Sequence, residues 1–257
     1  MSDLNVANQE LINAALSGET NKVEAFFQAG ANINVVQWGI TPLMATAITG
    51  QIDTSKFLLK VGADVNISGE YGVTALKLAC GHGHIESVKW LLRHGADIHA
   101  KGKLNNTAIM WASGQKHLRQ FNSHWPLLIS SRGQFIYERS VISEDAVWMY
   151  PVIIQLLVQA GAIVDDQDSL DDTPLCMAAA DGHVKSVDLL LRYGADIDHK
   201  GEWGGTPLLQ ASMRGRVEVV KLLIISGADT SIRDRFGRTA WGWAVKKGHT
   251  EIADLYD

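Results

Sequence analysis

The 257-residue sequence is poor in cysteine and proline, and it has no strong excess of either charge. Its two cysteines, Cys80 and Cys176, stand in no CxxC or other metal-ligand spacing. That excludes a disulfide-dense scaffold and a cysteine-ligated zinc module, and a reducing compartment is the simpler expectation. Lys and Arg number 23 against 28 Asp and Glu, a formal net charge of −5. A nucleic-acid binder normally carries a basic face instead. No stretch approaches the ~18 to 20 continuous apolar residues of a membrane helix. The start, MSDLNVANQELINAAL, lacks the basic segment and apolar run of a secretory signal. Composition therefore predicts a soluble, cytoplasmic protein with neither a membrane nor a nucleic acid as partner, and the chain is expected to be a monomer.

What is present is a period. The chain is 46% apolar and 20% charged, a globular balance. It spells nearly one pentapeptide six times: GANIN, GADVN, GADIH, GAIVD, GADID and GADTS. Their glycines are Gly30, Gly62, Gly95, Gly161, Gly194 and Gly227, at intervals of 32, 33, 66, 33 and 33. A second marker keeps the same time: Thr41, Thr74, Thr107, Thr173, Thr206 and Thr239. A fixed period of this size predicts a solenoid, in which each unit buries its apolar face against its neighbours.

One unit shows how the pattern works. In TPLLQASMRGRVEVVKLLIISGAD, Thr206 caps a helix through its hydroxyl, and Pro207 fits the first helical position. Gly215 makes a turn. Val217, Val219, Val220, Leu222 and Leu223 supply the apolar faces of a second helix. Gly227 ends that helix in the left-handed conformation that glycine adopts without steric cost. The residues that follow are expected to extend as a hairpin finger.

GVTALKLACGHGHIESVKWLLRHGADIH (72–99) and DTPLCMAAADGHVKSVDLLLRYGADID (172–198) resemble the ankyrin repeat, and the resemblance covers nearly the whole chain. It implies an all-α ankyrin-repeat solenoid of stacked helix-turn-helix units with β-hairpin fingers, capped at both ends. Units are expected to start near residues 9, 41, 74, 107, 140, 173, 206 and 239. The family's His after Thr-Pro-Leu is replaced by Met44, Lys77, Met110, Cys176, Leu209 and Gly242, so cohesion should rest more on apolar packing. The gap of 66 residues is twice the period, which favours two degenerate units at 107 and 140. The rival reading, one unit with a 33-residue insertion, makes the period a coincidence.

The resemblance also implies where a partner binds: at the fingertips and the end of each first helix. Those phases hold Trp38 and Ile40; Tyr71 and His82; Leu104; Tyr137 and Trp148; Leu170 and Asp181; Trp203, Met213 and Arg214; and Phe236. A row of exposed aromatics usually marks binding, although neighbouring fingertips can also pack on one another. Basic residues cluster late in the chain, at Arg214, Arg216, Arg233, Arg235, Arg238, Lys246 and Lys247. DDQDSLDD (165–172) has Leu170 where an EF-hand needs glycine and Cys176 where it needs glutamate, so it reads as a solvated acidic finger. His84, His183 and His249 share one turn phase and read as structural. No Walker loop or GxSxG occurs, and no catalytic residue, metal site or cofactor is expected.

The leading expectation is a non-enzymatic scaffold that binds another protein or peptide. One alternative is a regulatory or inhibitory subunit of an enzyme. The other is a ligand- or metal-dependent sensor or enzyme using the irregular 111–148 region, with Trp111, His117, His124, Trp125 and Trp148.

Overall fold

The computed structural model describes residues 3–114, 148–201 and 203–256. The chain divides into two compact units, Met1–Lys103 with Leu118–Met149, and Leu104–His117 with Tyr150–Asp257. Among the described residues the regular structure is helical, apart from an isolated bridge between Gln37 and Ile40. The expected β-hairpin fingers are therefore short turns, each closed at its base by backbone bonds such as Gly69 N–H to Val73 O (2.8 Å) and Asp234 N–H to Arg238 O (3.0 Å).

The first unit contains α1 (Asp3–Leu16), α2 (Thr20–Gln28), α3 (Pro42–Thr49), α4 (Ile52–Lys60), α5 (Ala75–Gly81) and α6 (Ile85–Arg93). The second contains α7 (Ala108–Ser113), α8 (Met149–Gln159, all but its first residue), α9 (Pro174–Asp181), α10 (Val184–Arg192), α11 (Pro207–Met213), α12 (Val217–Ile225), α13 (Ala240–Lys247) and α14 (Thr250–Ala253). First helices stack on first helices: α1, α3 and α5 in one unit, α7, α9, α11 and α13 in the other. Second helices do the same, as α2, α4 and α6, and as α10, α12 and α14.

Residue choice explains the stacking. Thr41, Thr74, Thr173, Thr206 and Thr239 each accept the amide of the residue three positions on, at 3.2 to 3.4 Å, and so cap their helices. Small residues on the first helices, Ala45, Ala79, Ala112, Ala178, Ala179 and Ala211, are buried and permit close approach. Leu58, Val88, Leu91, Leu190, Val220 and Leu223 seal the second helices, each fully buried leucine contributing about 1.5–3 kcal/mol.

The repeated pentapeptide is a clamp. Within a repeat, the third residue bends the chain by accepting the amide two residues on, as Asp64 does from Asn66 and Asp97 from His99, both at 2.8 Å. Between repeats, the fifth residue accepts the amide of the next repeat's third. Asn34 takes Asp64 N–H and Asn66 takes Asp97 N–H at 2.8 Å, while Asp198 takes Asp229 N–H at 3.0 Å. A second tie comes from the turn phase. The ring nitrogens of His84, His183 and His249 donate to the carbonyls of Ile48 (2.9 Å), Ser113 (3.1 Å) and Met213 (3.3 Å). Arg216 occupies the same phase, and its Nε donates to Ala180 O (3.1 Å).

These ties bear on the stretch between Thr107 and Thr173, part of which lies outside the described residues. Helix α7 packs directly on α9. The finger of Leu104 joins that of Leu170 through Ser169 N–H to Leu104 O (2.9 Å), and Asn105 Nδ2 donates to Gln167 O (2.8 Å). His183 also bonds to Ser113, so the first helices that follow Thr107 and Thr173 are neighbours. Ile154 and Leu157 of α8 are buried at the phase of Val88 and Leu91 in α6, as in a second helix. The expected unit start at 140 lies outside the described residues. Thr107 also differs from its counterparts, since its hydroxyl is buried and makes no capping bond.

Candidate functional site

Each finger is a reversal immediately before a capping threonine. In the first unit, Trp38 and Gly39 both take positive φ (52° and 76°), as do Tyr71 and Gly72 (59° and 69°). Glycine suits that geometry. An aromatic residue held there costs about 1–2 kcal/mol, which fixes Trp38 and Tyr71 on the outside of a tight two-residue turn. Both side chains remain exposed. Backbone bonds join successive fingers: Glu70 N–H to Gly39 O (3.0 Å) and Lys103 N–H to Tyr71 O (2.9 Å). Lys103 also places its ammonium 4.8 Å from the Tyr71 ring centroid.

The second unit repeats the design with a single left-handed residue after each fingertip: Asn105, Asp171, Gly204 and Gly237. Asn and Asp tolerate this region better than other non-glycine residues. Leu170, Trp203 and Phe236 are exposed, and Leu104 is half-buried. Arg235 N–H bonds to Trp203 O (3.0 Å), bringing the last two fingers together. The Trp203 and Phe236 rings then stack, 6.3 Å apart and 8° from parallel, while remaining 44% and 56% exposed. The fingertips of this unit thus pack on one another and still face water.

The other candidate residues divide. Trp148 is exposed, and Tyr137 lies outside the described residues. Ile40 is corrected: it is 0% exposed, because its backbone pairs with Gln37 and the residue after the turn faces the core. His82 is corrected as well. It closes the end of α5, buried, and its ring stacks on His84 at 6.1 Å. Burial first, and then the His84 charge, lowers its pKa from 6.5 to about 3, so it is neutral. Met213 is half-buried and Arg214 exposed; the Arg214 guanidinium lies 3.8 Å from the nearly covered Asp181 carboxylate. With Asp172, Cys176, Met177 and Gln210 these two line a shallow depression between α9 and α11.

Several features escaped sequence reading. Lys77, which replaces the family's His, is 1% exposed and donates to Gly72 O (2.8 Å). Burial, partly offset by Asp97, lowers its pKa to about 8. Trp243 joins the fingertip cations, because Arg238 and Lys246 lie 4.8 and 5.1 Å from its ring centroid. The alternation of Arg and aromatic residues over 233–243 was the signal that could have found it. The last repeat was expected to be a cap, yet Trp241 and Val245 are exposed at the phase where Leu208 and Ser212 are buried. Of the residues proposed for a ligand-dependent centre, Trp111 is buried, with its indole on Asn106 Oδ1 (3.0 Å). His117, His124 and Trp125 lie outside the described residues. Among the described residues no group of His, Cys, Asp and Glu could hold a metal ion, and no helix is long and apolar enough to cross a membrane.

Comparison with known proteins agrees with this geometry. The family model for ankyrin repeats in three copies matches residues 11–102, 148–234 and 198–255. None of these segments includes 103–147, which contains α7. The crystal structure of the human ASB11 ankyrin repeat domain is similar, with a TM-score of 0.74 and 25% sequence identity, covering 96% of this chain and 97% of that one. No curated protein matches the chain by sequence.

Proposed function

The chain belongs to the ankyrin repeat family, and from that premise we propose that it is a non-enzymatic scaffold holding a protein or peptide segment against its fingertips and the ends of its first helices. Ankyrin repeats are generally protein–protein interaction modules. The observation that carries the reading here is the recurrence of exposed large apolar residues at one repeat phase: Trp38 and Tyr71 in one unit, Leu170, Trp203 and Phe236 in the other. Packing alone would not require Trp38 and Tyr71 to occupy left-handed backbone. Aromatic side chains with part of their surface already buried lose little conformational freedom on binding, which suits them as interface anchors.

Affinity capture tests the reading. Immobilised protein should retain a partner from source lysate, and the double variant Tyr71→Ala/Trp203→Ala should retain at least ~10-fold less. Helical circular dichroism should be unchanged, because both side chains lie outside the helical stacks. Equal capture by both proteins would refute the assignment.

A further inference from the structure

The second unit carries more than exposed rings. Arg235 lies over Trp203 and 5.0 Å from the Phe236 centroid. Arg238 lies 5.6 Å from Phe236 and 4.8 Å from Trp243. Lys246 and Lys247 lie 5.1 and 5.9 Å from Trp243. Rings and cations therefore alternate without a break from the finger of Trp203 to the end of α13. Contact with a ring face holds a guanidinium or ammonium in place, and its N–H donors stay available for an anion.

None of these four cations makes an ion pair among the described residues. Asp234, an acid in their midst, is nine-tenths covered and already engaged. It accepts from Phe236 N–H (2.9 Å), Arg238 N–H (2.9 Å) and Trp243 Nε1–H (2.7 Å). Its role is to fix the turn and orient Trp243, and its lone pairs point into that turn. A chain of net charge −5 thus gathers four cations without an ion pair among the described residues at one place beside exposed aromatic faces.

We propose that the strip Trp203–Arg235–Phe236–Arg238–Trp243–Lys246/Lys247 docks an acidic peptide segment of a partner protein, its carboxylates on the cations and its apolar side chains on the rings. The inference rests on the scaffold reading and supplies the chemistry of the partner. A peptide fits better than a nucleic-acid strand. The same unit carries a finger with Asp165, Asp166, Asp168, Asp171 and Asp172, which repels a uniformly charged polyanion. A peptide can be acidic over one stretch and neutral or basic over the next.

The test uses the full chain and fluorescence anisotropy. The probe is a fluorescein-labelled peptide of about 12 residues containing Glu, Asp, Leu and Gly, compared with its Gln/Asn counterpart and with oligothymidylate of similar length. The acidic peptide should bind at least ~10-fold more tightly than either comparison probe, and its affinity should fall as salt is raised. Arg235→Glu/Arg238→Glu should lower that affinity at least ~10-fold. Lys246→Ala/Lys247→Ala, which alters only exposed side chains, should lower it severalfold and decides the matter if the arginine variant loses helicity. Equal binding of acidic and amide peptides overturns the proposal, as does no binding at all, tighter binding of oligothymidylate, or unchanged affinity in the lysine variant. If the peptide fails while Tyr71→Ala/Trp203→Ala still abolishes partner capture, only the acidic-partner inference falls.

Discussion

Asn66→Ala removes both side-chain bonds by which one repeat of the first unit clamps the next. Asn66 Oδ1 accepts Asp97 N–H at 2.8 Å, and Asn66 Nδ2 donates to Gly95 O at 3.0 Å. Both bonds are exposed, so water satisfies the abandoned groups and each loss stays near the low end of ~0.5–1.5 kcal/mol. The expected cost is about 1–2 kcal/mol. Asn66→Asp separates the two bonds. It keeps the acceptor, as Asp198 does for Asp229 N–H, and loses only the donor. It should cost about half as much as the alanine, with part of that cost arising from repulsion by Asp64 and Asp97 and therefore removed by salt. Urea unfolding at neutral pH, with the slope held in common, measures both variants. An alanine variant as stable as the parent, or an aspartate variant as damaged as the alanine at high salt, would refute the clamp.

Two further predictions concern the core and the long connection. Lys77→Met replaces a buried amine by the residue found at the same phase in Met44 and Met110, so it should raise the melting temperature at pH 7. Between pH ~8 and ~10.5 the folded chain has released the Lys77 proton while the unfolded chain still holds it. Native stability relative to the methionine variant should therefore rise across that window, by up to ~3 kcal/mol; a difference independent of pH would contradict the buried amine. If residues 115–147 are an insertion within one repeat, replacing 116–146 by a short Gly–Ser link should leave helical circular dichroism and cooperative unfolding in place, since α7 already packs on α9; a broadened or split transition would contradict the insertion.

Much of the fold was legible because its local signals are chemically strict. A capping threonine, a proline at the first helical position and a glycine after the second helix each have one main use, and they recur in step. The pentapeptide was legible as a boundary but not as a clamp, because the partner of Asn66 is a backbone amide 31 residues away. The stretch after Thr107 was not legible from its period, for a physical reason. Period counts residues, whereas stacking depends on which surfaces meet, and only the bonds from His183 to Ser113 and from Ser169 to Leu104 show which repeats touch. The exposure of Trp203 and Phe236 was legible from their phase alone. The burial of Ile40 was not, because two positions along a turn decide whether a side chain faces water or core. The ring–cation strip needed coordinates, since Trp203, Arg235 and Trp243 come from two fingers and a helix.

Hydrogen–deuterium exchange of the full chain, with and without the captured partner, tests the central claim that binding occurs on the fingers. Saturating partner should slow exchange at 37–40, 69–73, 203–205 and 234–238, and at the C-terminal ends of α9, α11 and α13. The outer helices α4, α6, α10 and α12 should exchange as in the free protein. Protection confined to those outer helices, with the finger amides unchanged, would contradict the claim.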